Sequence, residues 1–213
     1  MPAHSARGKP PIRLIMAGAA VGLFLIGYYW GNQYKHDHTL LPTVAAVLVR
    51  PPIALPDLDL REASGQPFTT EGFDGHWTLL SFDDPGTASG HLAITRLVEV
   101  RNRLADHPDL RNLLQLALVS QQQDPAPNEK VAGMSPTLEI LIAPPGKLQE
   151  LRTTLGAPPN ETTETTAGEE PFYLIGPSAR LLALFTGAQA PASIASDLIA
   201  ITTHTEDLYP AHD

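Results

Sequence analysis

Cysteine is absent from all 213 residues of the chain. Disulfide bonds, thiolate metal ligands and cysteine nucleophiles are therefore excluded, and so is thiol–disulfide exchange, which needs two sulfur atoms. Charged residues are few, at 17% against 43% hydrophobic residues, a balance that suits a globular core rather than disorder. The absence of cysteine gives no information about the cellular compartment.

Acidic residues are absent before Lys35, where the only charged side chains are Arg7, Lys9 and Arg13. All 23 acidic residues lie from Lys35 onward, against 11 basic residues (14 minus 3), so this part of the chain carries a formal charge of −12. An acidic domain binds polyanions poorly, so nucleic acid is excluded as an expected partner. No motif indicates a small-molecule substrate.

A long uncharged stretch lies near the N-terminus, at residues 14–34. About 20 apolar residues suffice to span the hydrocarbon core, and Tyr28, Tyr29 and Trp30 resemble an interfacial aromatic belt. The basic flank at residues 1–13 predicts a cytoplasmic N-terminus by the positive-inside rule. A cleaved signal peptide is the alternative, but its apolar region is usually about 7–15 residues long. We therefore predict an uncleaved single-pass anchor in a bacterial inner membrane, with the following domain in the periplasm.

Proline is abundant after this stretch, and residues 35–56 are predicted to form a tether. Its prolines disfavour regular structure, although residues 43–49 could form a short edge strand or dock on the domain. The tether prolines are Pro42, Pro51, Pro52 and Pro56. The folded domain is predicted at residues 57–201, followed by a polar tail at 202–213.

The domain shows an alternating α/β pattern. A hairpin is predicted around Ser64 and Gly65, and a C-terminal hairpin around residues 176–180. Apolar runs between them predict core strands at 77–82, 114–120 and 138–143, and helical spacing predicts helices at 91–104, 144–156 and 190–201. The order predicts an α/β domain with a central mixed sheet flanked by helices, as in thioredoxin-like folds.

The segment SFDDPGTASGHL, residues 81–92, falls between the first predicted core strand and its helix. Many α/β proteins keep their chemistry at such a turn, yet this one has no glycine-rich phosphate cradle and no nucleophile with a base. We therefore predict no catalytic residues and no cofactor.

Three blocks of the sequence resemble the Sco/SenC family, membrane-anchored thioredoxin-like proteins that help to assemble the copper centre of cytochrome c oxidase. The first is DLDLREASGQPFTTEGFDGHWTLLSF with the turn and helix that follow it. The second is LLQLALVSQQQDPAPNEK, and the third is FYLIGPSARLLALFTGAQAPASIASDL. The resemblance covers roughly residues 55–200 and implies a thioredoxin-like fold.

The chain departs from the family at the residues that bind copper. The two cysteines of the family's CxxxC turn fall on Thr87 and His91, and its histidine ligand falls near Gly168. The family's Asp-Pro motif remains only as Asp124 and Pro125. The resemblance therefore implies a degenerate member that keeps the scaffold without the copper and thiol chemistry.

Two groups of other residues are weak candidates for a metal site. His36 and His38 have the spacing of a strand-face pair beside the predicted membrane anchor. His91 with Asp83 and Asp84 offers one imidazole and two carboxylates. The favoured interpretation of the second group is structural, with the two aspartates shaping the turn and Thr87 or Ser89 capping the helix.

A protein-binding surface is the remaining hypothesis for this turn. Pro171 directly precedes the strand FYLI, where thioredoxin-like proteins often place a cis-proline that faces the turn. A trans proline that begins the strand is the alternative. The candidate contact residues are Asp83, Asp84, Pro85, Thr87, His91 and Pro171.

The sequence as a whole predicts a non-enzymatic, membrane-anchored accessory or assembly factor, or a subunit, of a respiratory oxidase. The alternatives are a periplasmic copper carrier that uses histidine and aspartate ligands, and a binding module unrelated to respiration.

Overall fold

The computed structural model describes residues 21–24, 42–121, 137–157 and 170–210. The chain divides into two compact units, residues 1–41 and 42–213, and each is described by itself.

In the first unit, residues 21–24 are helical. The rest of the predicted anchor at 14–34 lies outside the described residues, as do His36 and His38. None of the helices in the described ranges is long and apolar enough to cross a membrane. The single-pass anchor therefore stays a prediction.

The second unit contains a mixed sheet of eight strands within the described ranges, in the order β1-β8-β7-β4-β5-β6-β2-β3. Strands β4, β5 and β6 run parallel, and the other pairs are antiparallel. The strands are β1 (Val47–Ala54), β2 (Leu60–Glu62), β3 (Pro67–Phe68), β4 (Trp77–Phe82), β5 (Leu114–Ser120), β6 (Leu138–Ile142), β7 (Phe172–Gly176) and β8 (Arg180–Phe185).

Helices pack on both faces of this sheet and divide the core into two layers. One layer lies beneath α1 and α4, where Leu97 and Leu198 are fully buried, and the other lies beneath α3, where Leu151 is fully buried. The helices are α1 (Ala88–Asn102), α2 (Pro108–Leu113), α3 (Pro145–Thr154), α4 (Pro191–Thr203) and α5 (Thr205–Leu208), with a 3-10 turn at Thr70–Phe73. The predicted α/β class and the mixed sheet flanked by helices are confirmed.

Strand β4 is the centre of the domain because it is buried along its whole length between β5 and β7. Its uninterrupted apolar run is what a strand covered on both faces requires. The predicted hairpin at Ser64 and Gly65 is also confirmed, since Leu60 pairs with Phe68 and Gly65 has a positive φ of 86°.

Part of the predicted tether at residues 35–56 is a strand, in line with the alternative of an edge strand at residues 43–49. Residues 47–54 form strand β1, which pairs antiparallel with β8 at one edge of the sheet. Pro51 and Pro52 are tolerated because the register is irregular between Leu48 and Ile53, and because an edge strand needs donors on one side only.

The predicted polar tail at residues 202–213 is also wrong in part. Helix α4 continues to Thr203, and α5 follows it with Leu208 buried in the core. The hydroxyl of Tyr209 donates a hydrogen bond to the main-chain oxygen of Leu182 on β8. Residues 202–209 are therefore packed onto the domain.

Candidate functional site

The segment at residues 83–91, hereafter the turn, joins the carboxyl end of β4 to helix α1. The strand ends at Phe82 and the helix begins at Ala88, three residues earlier than predicted. Because β4 lies inside the sheet, the turn lies at the carboxyl end of the parallel strands and near the middle of the sheet. The predicted strand–turn–helix arrangement is confirmed.

Asp83 is the hydrogen-bond acceptor that organises the turn. Its Oδ1 accepts from the main-chain nitrogen of Asp84 at 2.7 Å and from the Ser89 hydroxyl at 2.9 Å. The Thr87 hydroxyl lies 3.3 Å from the same oxygen. One carboxylate oxygen therefore joins both ends of the turn.

Asp84 and Thr87 complete the local bonding. Asp84 Oδ1 accepts from the main-chain nitrogen of Gly86 at 2.9 Å, which is the pattern of an Asx-turn. Thr87 Oγ1 accepts from the nitrogen of Gly90 at 3.0 Å and so caps α1. The structural interpretation of the two aspartates, with Thr87 as the cap, is confirmed.

Gly90 allows the turn to fold this closely onto the helix. A Cβ atom at this position would lie 1.9 Å from the main-chain oxygen of Asp84, far inside any real contact. A larger residue would therefore force the turn away from α1.

His91 is exposed and does not meet the two aspartates. Its Nδ1 lies 2.9 Å from the carbonyl oxygen of Thr87, which only accepts, so Nδ1 carries the ring proton. This tautomer leaves Nε2 as the acceptor of the ring. Within the described ranges, no three histidine or carboxylate side chains form a metal-binding group, and the proposed trio with Asp83 and Asp84 is not assembled.

The two candidate prolines, Pro85 and Pro171, do not have the exposure and geometry that the hypothesis of a protein-binding surface expects. Pro85 is buried, so it is not available for contact without a rearrangement. Pro171 is half-buried directly before β7, and the bond that precedes it is trans, since the cis peptide bond of the described residues precedes Pro51. Of the two alternatives for Pro171, the trans proline that begins the strand is therefore the one found.

A buried ion pair lies beside the turn and was not predicted from the sequence. Arg152 on α3 reaches Glu170, which directly precedes Pro171, with Nη2 3.4 Å from Oε1. The Arg152 side chain is 4% exposed and that of Glu170 is 18% exposed. The guanidinium also lies over the ring of Phe82, 5.0 Å from its centroid.

Tyr173 on β7 completes what we call the buried cluster, namely Phe82, Arg152, Glu170 and Tyr173. Its ring packs edge-on against Phe82 at 5.4 Å. The Tyr173 hydroxyl and Oε2 of Glu170 are both buried and have no hydrogen-bond partner among the described residues. Burial raises the pKa of the Tyr173 hydroxyl, which therefore stays a neutral donor.

The carboxyl group of Glu170 is held in a mixed electrostatic environment. Burial raises the pKa of Glu170, and the nearby charge of Asp83 raises it further, whereas Arg152 opposes both effects. The cluster is therefore coupled electrostatically to the first residue of the turn. A sequence signal for Arg152 was available, because it lies beside Leu148 and Leu151 on the apolar face of α3.

Known proteins are similar to this chain in sequence and in fold. No protein-family model matches the chain. A Stutzerimonas stutzeri protein that is provisionally named as copper-binding is 32% identical over 158 residues, which are 68% of this chain and 76% of that protein. Solved structures of Sco proteins are among those similar to the domain. The chain belongs to the Sco/SenC-like family.

The solved Sco structures show the shared fold at low sequence identity. Sco1 of Thermus thermophilus matches with a TM-score of 0.58 and 18% identity, over 77% of this chain and 99% of that chain. Copper-bound ScoI of Arabidopsis thaliana has a TM-score of 0.58 and 14% identity, over 70% and 98% of the two chains. BsSco, described as a member of a family of cytochrome c oxidase assembly proteins, has a TM-score of 0.57 and 15% identity, over 74% and 98%.

This Sco/SenC-like chain replaces the expected thiol pair with a helix cap and an exposed imidazole. Thr87 and His91 are joined across the first turn of α1, where the nitrogen of His91 donates to the oxygen of Thr87 at 3.1 Å. The third expected position, Gly168, lies outside the described residues, as do Asp124 and Pro125. The absence of cysteine fits a degenerate version of the family.

Proposed function

We propose that the chain is a membrane-anchored, non-catalytic accessory or assembly factor, or a subunit, of a respiratory cytochrome oxidase. It acts through protein–protein contacts. The observation that carries the proposal is the turn, whose side chains bond to one another while the family scaffold around them is kept. Its similarity to Sco proteins, one of them described as an oxidase assembly protein, supports the choice of partner.

The proposed location is the bacterial inner membrane, with the N-terminus in the cytoplasm and the domain in the periplasm. The uncharged stretch at residues 14–34 and the basic flank before it support this orientation.

The proposed contact surface is the outer side of the turn and the first turn of α1. Thr87, Ala88 and His91 are exposed there, and Leu92 is an apolar side chain that is 40% exposed. This surface offers polar and apolar atoms without a reactive group. Such a mixture suits a protein partner better than a substrate.

Affinity purification of the full-length tagged protein from membranes tests this proposal. Oxidase subunits should be retained in mild detergent, and Ala88→Arg should remove them by placing a long charged side chain in the contact surface. Asn102→Arg, at the exposed far end of the same helix, is the matched control and should retain them. Failure of the wild type to retain any oxidase subunit, or equal retention by Ala88→Arg, would contradict the proposal.

A copper carrier is the second candidate function, and the tautomer of His91 favours it. Imidazole ligands of metals usually donate the other ring N–H to an oxygen, as His91 Nδ1 does to Thr87, and this points Nε2 outward. The copper-binding name of the Stutzerimonas stutzeri relative agrees with this candidate. Copper titration of the full-length protein against His91→Ala decides it, since a carrier of this kind loses its binding in the variant. Copper binding by His36 and His38 would survive His91→Ala, and it remains a prediction.

A further inference from the structure

Two polar atoms of the buried cluster receive no hydrogen bond from any described residue. Tyr173 is 0% exposed, and its hydroxyl is one of these two atoms. The other is Oε2 of Glu170, whose second oxygen, Oε1, is paired with Arg152. A buried polar atom without a partner destabilises a fold, so native proteins satisfy almost all such atoms with protein groups or with ordered water.

The two atoms belong to side chains that share one neighbour, the ring of Phe82. The Tyr173 ring lies 5.4 Å from the Phe82 ring, centroid to centroid, and the guanidinium carbon of Arg152 lies 5.0 Å from the same centroid. Arg152 in turn holds Glu170, with Nη2 3.4 Å from Oε1. Burial raises the pKa of Tyr173 and the charge of Glu170 raises it further, which agrees with a short separation of the two groups.

The chemistry of the two atoms defines what can bind between them. The Tyr173 hydroxyl donates a hydrogen bond, and Oε2 of a carboxylate accepts one, so the ligand must be both an acceptor and a donor. A further anion would be repelled by Glu170, and a metal cation would be repelled by the guanidinium of Arg152. A water molecule meets both requirements and carries no charge. The Glu170 side chain is 18% exposed, so water reaches the cluster from the surface at this residue.

We propose that the buried cluster binds one internal water molecule, which accepts a hydrogen bond from the Tyr173 hydroxyl and donates one to Oε2 of Glu170. Internal waters of this kind are part of a native structure and are costly to remove. Arg152 holds one oxygen of Glu170 and the water holds the other. The residue that directly precedes Pro171 and β7 is therefore fixed through both of its carboxylate oxygens.

Oxygen-17 magnetic relaxation dispersion of the full-length protein tests the water directly, because it counts water molecules that exchange slowly with the solvent. Tyr173→Phe removes the donor and keeps the ring, and it should hold one slowly exchanging water fewer than the wild type. Tyr209→Phe is the matched control, since that hydroxyl donates directly to the main-chain oxygen of Leu182, and it should retain the wild-type number. An equal number in the wild type and Tyr173→Phe would overturn the proposal.

A double-mutant cycle tests whether the water joins the two side chains. Glu170→Ala removes the acceptor and should lose the same water. The increase that Tyr173→Phe causes in the equilibrium constant for unfolding in urea should be smaller by about threefold in the Glu170→Ala background, because the bridge is already broken there. Equal increases in the two backgrounds would overturn the bridge. Coupling without the loss of a water would indicate a direct hydrogen bond and would overturn the proposal as well.

Discussion

The turn and the buried cluster both contain carboxylates, but they satisfy them in opposite ways. In the turn, Asp83 and Asp84 accept hydrogen bonds from backbone and hydroxyl groups within eight residues of the chain. In the buried cluster, Glu170 depends on Arg152 from a different element, and no described residue forms a hydrogen bond with its Oε2. Each aspartate of the turn is bonded to nearby residues of the chain, whereas Glu170 is paired through one oxygen to a residue of another element.

This difference distinguishes carboxylates that hold the backbone of the turn in place from polar groups that still lack a hydrogen-bond partner. Two acidic residues directly after a central strand usually indicate a catalytic or metal-binding site. Here the hydrogen bonds of Asp83 and Asp84 show that both residues form the turn. In the described part of the chain, Oε2 of Glu170 and the hydroxyl of Tyr173 are buried without a hydrogen-bond partner, and the imidazole of His91 is exposed on the surface. The following predictions test the comparison, from the largest expected effect to the smallest.

Gly90→Ala should have the largest effect, because it breaks the turn by steric overlap with the main-chain oxygen of Asp84. We expect the free energy of unfolding in urea to fall by about 3 kcal/mol, the upper part of the usual range for overpacking. Gly146→Ala on α3 is the matched control, since a Cβ there meets nothing within 4 Å. Equal stability of the two variants would show that the turn is not closely packed on α1.

Arg152→Met should come next, because it breaks the buried cluster and leaves the Glu170 carboxylate unpaired. We expect a loss of about 2 kcal/mol in the free energy of unfolding, less than for a fully buried pair since Glu170 is partly exposed. Lys147→Met removes an exposed partner of Glu150 on the same helix and should leave stability unchanged. A wild-type denaturation midpoint for Arg152→Met would refute the structural role of the pair.

Thr87→Ala should remove the cap of α1 without changing the buried cluster. The expected loss is about 1 kcal/mol in the free energy of unfolding. Thr87→Ser keeps the capping oxygen and should retain most of that stability. If the serine and alanine variants were equally unstable, the methyl group rather than the cap would explain the effect.

Glu170→Gln should have the smallest effect, a change in the pH dependence of stability, and it tests whether the carboxyl group of Glu170 has a raised pKa. Because the pKa of this group in the folded state is raised, the folded protein binds the proton more tightly than the unfolded chain does. This stabilising contribution is fully present below the unfolded value near 4.5 and is lost as the pH rises through the raised value. Glu170→Gln should therefore show a weaker fall in stability across this interval than the wild type. Parallel pH profiles would contradict the raised pKa.

Patterns in neighbouring residues of the sequence predicted the core strands of the domain. The features that they did not predict depend on contacts between residues far apart in the chain. The apolar run of β4 and the glycine of the first hairpin carry their structural signal in neighbouring residues. An edge strand was given as an alternative at residues 43–49, but its continuation to Ala54 was missed because Pro51 and Pro52 argue against a strand, and only the pairing with β8 shows that they are tolerated at the edge.

In the candidate site, too, the local contacts were predicted from the sequence and the long-range contacts were not. The capping role of Thr87 follows from residues within one helical turn and was predicted. The pair of Arg152 and Glu170 joins positions 18 residues apart, and the carboxylate of Asp197 accepts a hydrogen bond from Ala46, which lies 151 positions away. The trans state of the bond before Pro171 also depends on tertiary context rather than on local sequence.

Copper stoichiometry of the purified full-length protein tests the central claim, that this family scaffold has exchanged metal chemistry for protein contact. Titration with Cu(I) and Cu(II), for the wild type and His91→Ala, should show no stoichiometric binding in either protein. One copper ion held per wild-type chain, and lost in His91→Ala, would contradict the account and establish a copper carrier.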